Sequence, residues 1–229
     1  MLAILSPVTF LGCGSSAVVP PPVVSEANSP ISHLVSLLDA SKNLTYRATY
    51  TVESIQFGQA SSQAVTIMQK PPKLAYSSDG QSLFTTSASS DAELGASTST
   101  TVTCYPSSSG SISCETHPPN SMGMLDGAEG YLGRQSIRGE LDNVAGGLKS
   151  NDPSGLIDSV QGSAKTVAGQ HSQCLIAIGT PASASALFCL NSLGVLTFAK
   201  SILGTVTLTS FSTSVSESDH IPPSTTDGT

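Results

Sequence analysis

Residues 45–54 read TYRATYTVES, and within them the sequence settles into a period of two. Tyr46, Ala48, Tyr50 and Val52 point one way, and Thr45, Arg47, Thr49, Thr51 and Glu53 the other. Strict alternation of this kind marks a strand with one face in a core and one face in water. Immediately upstream the period is that of a helix. In residues 31–42, ISHLVSLLDASK, the apolar Ile31, Leu34, Val35 and Leu38 share one face, Ser29 is placed to cap, and Pro30 suits the first turn. His33 lies off the apolar stripe and reads as a solvated helix position.

Working towards the C-terminus, strands continue. A turn at Gly58 and Gln59 leads into residues 62–69 (SQAVTIMQ), which Pro71 and Pro72 stop. Residues 73–78 (KLAYSS) and 81–87 (QSLFTTS) follow, separated by the turn signal Asp79-Gly80. Residues 88–99 are mostly Ser, Thr and Ala without clear pattern, the composition of a loop or a frayed edge. Residues 101–116 (TVTCYPSSSGSISCET) alternate on either side of a Ser/Gly turn and read as a hairpin. From 121 to 160 the period becomes helical, with Ile137, Leu141, Val144 and Leu148 recurring at helical spacing among many glycines. The expectation for this stretch is helices joined by mobile loops. Three more strand-like runs close the chain, at 164–178, 186–201 and 204–215. Asn191 to Gly194 divides the second of them by a tight turn.

The five cysteines separate into one and four. Cys104 and Cys114 lie at similar distances from the turn of their hairpin, and Cys174 and Cys189 flank a second pair of apolar runs around Gly179-Thr180-Pro181. Four cysteines allow three connectivities; local context favours Cys104 with Cys114 and Cys174 with Cys189, which suits an oxidising compartment. A zinc site is not expected: no spacing is CxxC, and His33, His117, His171 and His220 are scattered singly.

The fifth cysteine carries the address. Residues 1–11 (MLAILSPVTFL) form an apolar run of signal-peptide length, too short to span a bilayer, and Gly12 precedes Cys13. A small residue before a cysteine at the end of such a run resembles the bacterial lipobox, with Phe10 in place of the usual Leu. That resemblance implies cleavage before Cys13, acylation of Cys13, and attachment to the extracytoplasmic side of the cell membrane. No Lys or Arg precedes the run, which points to a true start upstream. Residues 14–30 (GSSAVVPPPVVSEANSP) hold four prolines and one charge, the composition of an extended tether. The expected organisation is a signal peptide over 1–12, lipidated Cys13 and tether over 13–28, one folded domain over 29–223, and a disordered tail over 224–229.

Composition sets the limits on function. Charged residues make up only 11% of the 229, with 16 acidic against 9 basic, so the net charge of −7 offers no basic face for nucleic acid. No GxSxG, HExxH, P-loop or GxGxxG motif occurs, and the glycine-rich run at 127–133 lacks the required spacing. Asp126 and Glu129 suit a helix start better than paired acid–base catalysis. Neither an enzyme nor a cofactor is expected.

The order of elements resembles the outer-membrane lipoprotein carrier superfamily (LolA/LolB-like) and related lipid-carrying lipoproteins of actinobacteria. The resemblance rests on residues 45–52 as the opening strand, on Met68-Gln69-Lys70-Pro71-Pro72-Lys73 at a strand end, and on Val167-Ala168-Gly169 before Cys174. It also rests on Cys189-Leu190-Asn191 with Gly194-Val195, and on Ser218-Asp219-His220-Ile221-Pro222-Pro223. It implies an α+β, mainly β fold, in which a curved antiparallel sheet forms an incomplete barrel and helices cover its concave side. It also implies an apolar interior that holds a lipid or acyl chains, or a sensory module of the same fold that binds a protein partner without a ligand. Alternation then proposes Tyr46, Tyr50, Val65, Ile67, Leu83, Ile176, Ile178, Val206 and Leu208 as lining residues.

Overall fold

The computed structural model describes residues 29–56, 59–78, 81–87, 99–106, 111–117, 132–149, 157–180 and 185–223. Cys13 and the rest of 1–28, the stretch 88–98, the start of the expected helical region at 118–131, and the tail 224–229 lie outside them.

The chain opens with helix α1 (Pro30–Ala40), prolonged by a 3₁₀ turn over Ser41–Asn43. Ser29 caps it as its composition predicts: the Ser29 hydroxyl accepts from the Ser32 N–H at 3.1 Å, satisfying a donor the helix cannot. Ile31, Leu34 and Leu38 are buried, and His33 is exposed. A meander of six strands follows: β1 (Tyr46–Gln56), β2 (Gln59–Lys70), β3 (Lys73–Ser78), β4 (Gln81–Ser87), β5 (Ser99–Pro106) and β6 (Ile112–His117). Helix α2 (Arg134–Lys149) then leads to a second meander, β7 (Ile157–Val167), β8 (Gln170–Gly179), β9 (Ala186–Asn191), β10 (Leu196–Ser201) and β11 (Gly204–Ser212). No helix among the described residues is long and apolar enough to cross a membrane.

Both meanders belong to one antiparallel sheet of 11 strands in the order β6-β5-β4-β3-β2-β1-β11-β10-β9-β8-β7. The seam is the pairing of β1 with β11, which sets Tyr50 opposite Leu208 and Val52 opposite Val206. The sheet does not close, since β6 and β7 are both edges. It does curl, because β7 comes back into contact with β11, four places away in the order. The result is an incomplete barrel with the helices on one face.

Three contacts seat α1 there. Pro30, at the start of α1, packs on β7 at Gly162, where an added Cβ would stand 3.4 Å from the proline ring, in ordinary van der Waals contact. The β9–β10 turn tucks under the C-terminal end of α1. There Gly194 has φ +78, and an added Cβ would lie 1.8 Å from the Leu37 carbonyl oxygen. Gln69, buried on β2, reaches the connection after α1 and donates towards the carbonyls of Ser41 (2.9 Å), Leu44 (2.9 Å) and Lys42 (3.2 Å).

The opposite face carries a strap. After β11 the chain crosses the outer surface of β1, β2 and β3, making a 3₁₀ turn over Glu217–His220. Asp219 pairs with Arg47 (3.4 Å), and Glu217 pairs with Lys70 (2.7 Å) and Lys73 (3.1 Å). The buried His220 places Nε2 3.1 Å from the Met68 carbonyl oxygen. Pro223 ends against Cys114.

Two expectations need correction. Residues 157–160 are not helical but open β7, and residues 164–178 are not one strand but the turn and arms of the β7–β8 hairpin. The turn lies at Ala168 (φ 48) and Gly169 (φ 75), and an alanine in the left-handed region gives no warning in the sequence.

Candidate ligand-binding site

The residues proposed from alternation fall into two groups. Tyr46, Tyr50, Val65, Ile67, Leu83, Val206 and Leu208 share the helix-covered face and form one band across the sheet. Val65 and Leu208 both lie opposite Tyr50, and Tyr76 links Ile67 to Leu83. All but Tyr46, which is partly buried, are fully buried. Ile176 and Ile178 do not belong. Leu175 pairs with Phe188 and Ala177 with Ala186 on the helix-covered side, so Ile176 and Ile178 point to the outer face with Cys174. The run 174–178 (CLIAI) is apolar on both faces, so hydrophobicity alone does not fix its phase.

Helices α1 and α2 roof this band. Ile137, Leu141 and Val144 of α2 are buried beside Ile31, Leu34 and Leu38 of α1. Arg138 of α2 meets Asp39 of α1 at 2.8 Å in an exposed ion pair. The space left between floor and roof, bounded by Leu38, Tyr46, Tyr50, Ile67, Ile137 and Leu196, is about 30 Å³. That accommodates a water or two and is an order of magnitude below the several hundred Å³ of a small-molecule pocket. The described interior is packed.

The polar groups in this packed zone are few. The Tyr50 hydroxyl donates to the Leu196 carbonyl at 3.1 Å, bonding the floor to β10. Desolvation pushes the Tyr50 phenol well above its ordinary value, and the neighbouring Tyr46 adds to the rise. Burial likewise raises Tyr46 to about 12, with the positive Arg134 acting in the opposite sense. Both phenols are therefore neutral hydrogen-bonding groups rather than acids or bases. Leu132, Gly133 and Arg134 at the start of α2 complete one side of the space. Sequence reasoning missed them because it placed the helical region's start near residue 121.

The two disulfides lie on the outer face, one in each meander. Cys104–Cys114 joins β5 to β6 and Cys174–Cys189 joins β8 to β9, each between directly opposed residues with Cα atoms 4.1 and 4.0 Å apart. Among the described residues no three His, Cys, Asp or Glu side chains gather into a metal site.

No family model matches the chain, and no curated protein sequence does. Solved structures similar to it include the Pseudomonas aeruginosa MucA/MucB complex, at 11% identity and a TM-score of 0.43, over 85% of this chain and 62% of that one. This chain thus spans less than two thirds of that neighbour's length. LprF from Mycobacterium bovis is similar at 11% identity and a TM-score of 0.33, over 82% of this chain and 94% of that one. A LolA superfamily protein from Nitrosomonas europaea matches at 10% identity and a TM-score of 0.22, over 75% and 73% of the two chains. Likenesses this distant carry no argument about function or family.

Proposed function

We propose that this chain is an extracytoplasmic lipoprotein, attached to the cell membrane through an acylated Cys13, that takes a lipid or acyl chain between its sheet and its helices. The observation that carries the reading is the contrast between floor and lid. The floor is a continuous apolar band from Leu83 to Leu208, rigid because eleven paired strands hold it. Among its described residues the lid, α2, buries Ile137, Leu141 and Val144 and meets α1 through the exposed Arg138–Asp39 pair, and it contains Gly139, Gly146 and Gly147, each costing a helix up to about 1 kcal/mol relative to Ala. Lifting α2 would uncover a slot for an acyl chain, and each methylene buried there would return about 0.8 kcal/mol. The packed interior described above is then the closed conformation.

The same packed interior favours a second reading, a lipid-anchored module that binds a protein partner and never opens. Native mass spectrometry of the chain, expressed with export to an oxidising compartment, separates the two. Extra mass that matches a lipid and is lost on denaturation supports the carrier. A clean protein mass that persists after incubation with phospholipid vesicles rejects it and leaves the module. The anchor is tested separately: Cys13→Ala should release the folded chain from membranes, and retention through a carbonate wash would defeat the lipoprotein reading.

A further inference from the structure

The strand register places several hairpin ends on one rim of the sheet. Gln56 and Gln59, Ser78 and Gln81, Pro106 and Ile112, and Ser201 and Gly204 are the last paired residues at their turns, and Gly204 also pairs with Ser54 of β1. Among the described residues, four large apolar side chains are exposed on this rim: Tyr105 (44%), Ile112 (36%), Ile202 (63%) and Leu203 (45%). Of the other large apolar side chains exposed among the described residues, Leu193 lies at the opposite end, in the β9–β10 turn, and Ile221 in the strap on the outer face.

We infer that this rim docks on a lipid bilayer, with Ile202 and Leu203 entering its interfacial layer and Tyr105 and Ile112 resting at headgroup level. The β10–β11 tip is built to present its side chains. Gly204, at φ +140, brings the turn so close to β1 that a Cβ would stand 2.0 Å from the Glu53 carbonyl oxygen. The Ser201 hydroxyl accepts from the Leu203 N–H at 3.0 Å. A turn fixed in this way loses little freedom on docking. Lys200 is the nearest charge on β10, and its apolar stem can lie along the lipid boundary with the ammonium among headgroups. Tyr suits the same boundary, having an apolar ring and a polar tip. Behind the tip on the outer face, Ile176, Leu187 and Ile202, with Lys200 and Ser201 beside them, line a depression of about 270 Å³, so apolar surface continues beyond the turn.

The separation of the contacts favours a bilayer over a protein partner. β4, β3, β2, β1 and β11 intervene between β5 and β10, six strand spacings or roughly 29 Å along the curved sheet at about 4.8 Å each. A protein interface concentrates its anchors in one central cluster, whereas a planar membrane meets separate tips along a line. Reach is not limiting either, since residues 13–28, at about 3.1 Å each if extended, cover about 50 Å.

The inference goes beyond the ligand reading and can be tested without relying on acylation in the cell. The chain from Cys13 onward keeps every described residue, and its other four cysteines are paired in disulfides. Its Cys13 thiol can be coupled to maleimide-bearing phosphatidylethanolamine in phosphatidylcholine vesicles. The sequence contains no Trp, so Leu203→Trp is a sole tryptophan that can be excited apart from the five tyrosines, Ile202→Trp a second reporter should the first fold poorly, and Leu193→Trp a control on the opposite rim. The expected result is blue-shifted emission and at least two-fold quenching by brominated acyl chains at 203 or 202, with none at 193. Solvent-like emission at both rim reporters overturns the inference, and so does equal quenching on both rims. Neither result bears on whether α2 lifts over a ligand.

Discussion

Gly194 shows how one residue sets the seating of a helix. Its φ of +78 is a conformation that side chains rarely adopt, and the Leu37 carbonyl occupies the place of a Cβ. Asn191 supports the same turn, its Oδ1 accepting from Leu193 N–H at 3.0 Å and from Val195 N–H at 2.9 Å. Gly194→Ala must therefore push α1 off the sheet or break the turn, at a cost of about 2 kcal/mol or more, measurable by urea unfolding. A variant as stable as the parent would show that α1 is not seated as described. Glu217 acts through charge. The hydrogen bond from Lys70 and then that from Lys73 hold its carboxyl at about 2, below the ordinary 4.5. A carboxylate with a depressed folded pKa contributes stability above its unfolded pKa and loses it as the pH falls through the folded one. The grip of the strap should thus fade between about pH 4.5 and about pH 2, seen as titrating amide shifts at Glu217 and Ser218. Glu217→Gln should remove that titration, and its persistence would assign the effect to another group.

At the scale of elements, α2 is the one whose properties bear most on function. A Cβ added at Gly139 or Gly146 would meet nothing within 4 Å. Gly139→Ala and Gly146→Ala should each strengthen the helix by about 0.5–1 kcal/mol and slow amide exchange within it. If α2 is a lid, the double variant should also take up lipid more slowly while binding it at least as tightly; unchanged exchange in α2 would reject the argument from its weakness. The elements that were legible from sequence are those whose signals are local. The alternation of 45–54 gave β1 its face, Ser29-Pro30 gave α1 its start, and Asn191 to Gly194 gave the β9–β10 turn. The β7–β8 hairpin was not legible, because Ala168 adopts a left-handed φ that only tertiary context supports. The phase of β8 was recoverable in principle. A cross-strand disulfide fixes which face Cys174 occupies, and Ile176 and Ile178 share its parity, while Leu175 and Ala177 face the helices. The depth of the site was not legible at all, since no pattern of apolar residues tells a filled core from an open one.

At the scale of the whole molecule, the two disulfides lie away from the middle. The meanders meet at β1 and β11 without a covalent link, while Cys104–Cys114 fastens the edge strand β6 to β5, and Cys174–Cys189 fastens β8 to β9, one strand in from the edge β7. The physical reason follows from the topology. A central strand is held by ladders on both sides and by the core beneath it, whereas an edge strand has one ladder only. Both bridges close short loops, 10 and 15 residues in sequence separation, for which chain entropy predicts about 3 kcal/mol each. Reduction should therefore loosen the molecule from its margins inward. Hydrogen exchange in dithiothreitol should accelerate first in β6, β7 and β8, with β1 and β11 the last to lose protection. Replacing Cys104 and Cys114 together by Ala should reproduce the loosening at β6 alone and leave the Cys174–Cys189 end protected. Simultaneous loss of protection in all strands would mean that the sheet unfolds as one unit, and that the bridges act on the unfolded chain rather than on its edges.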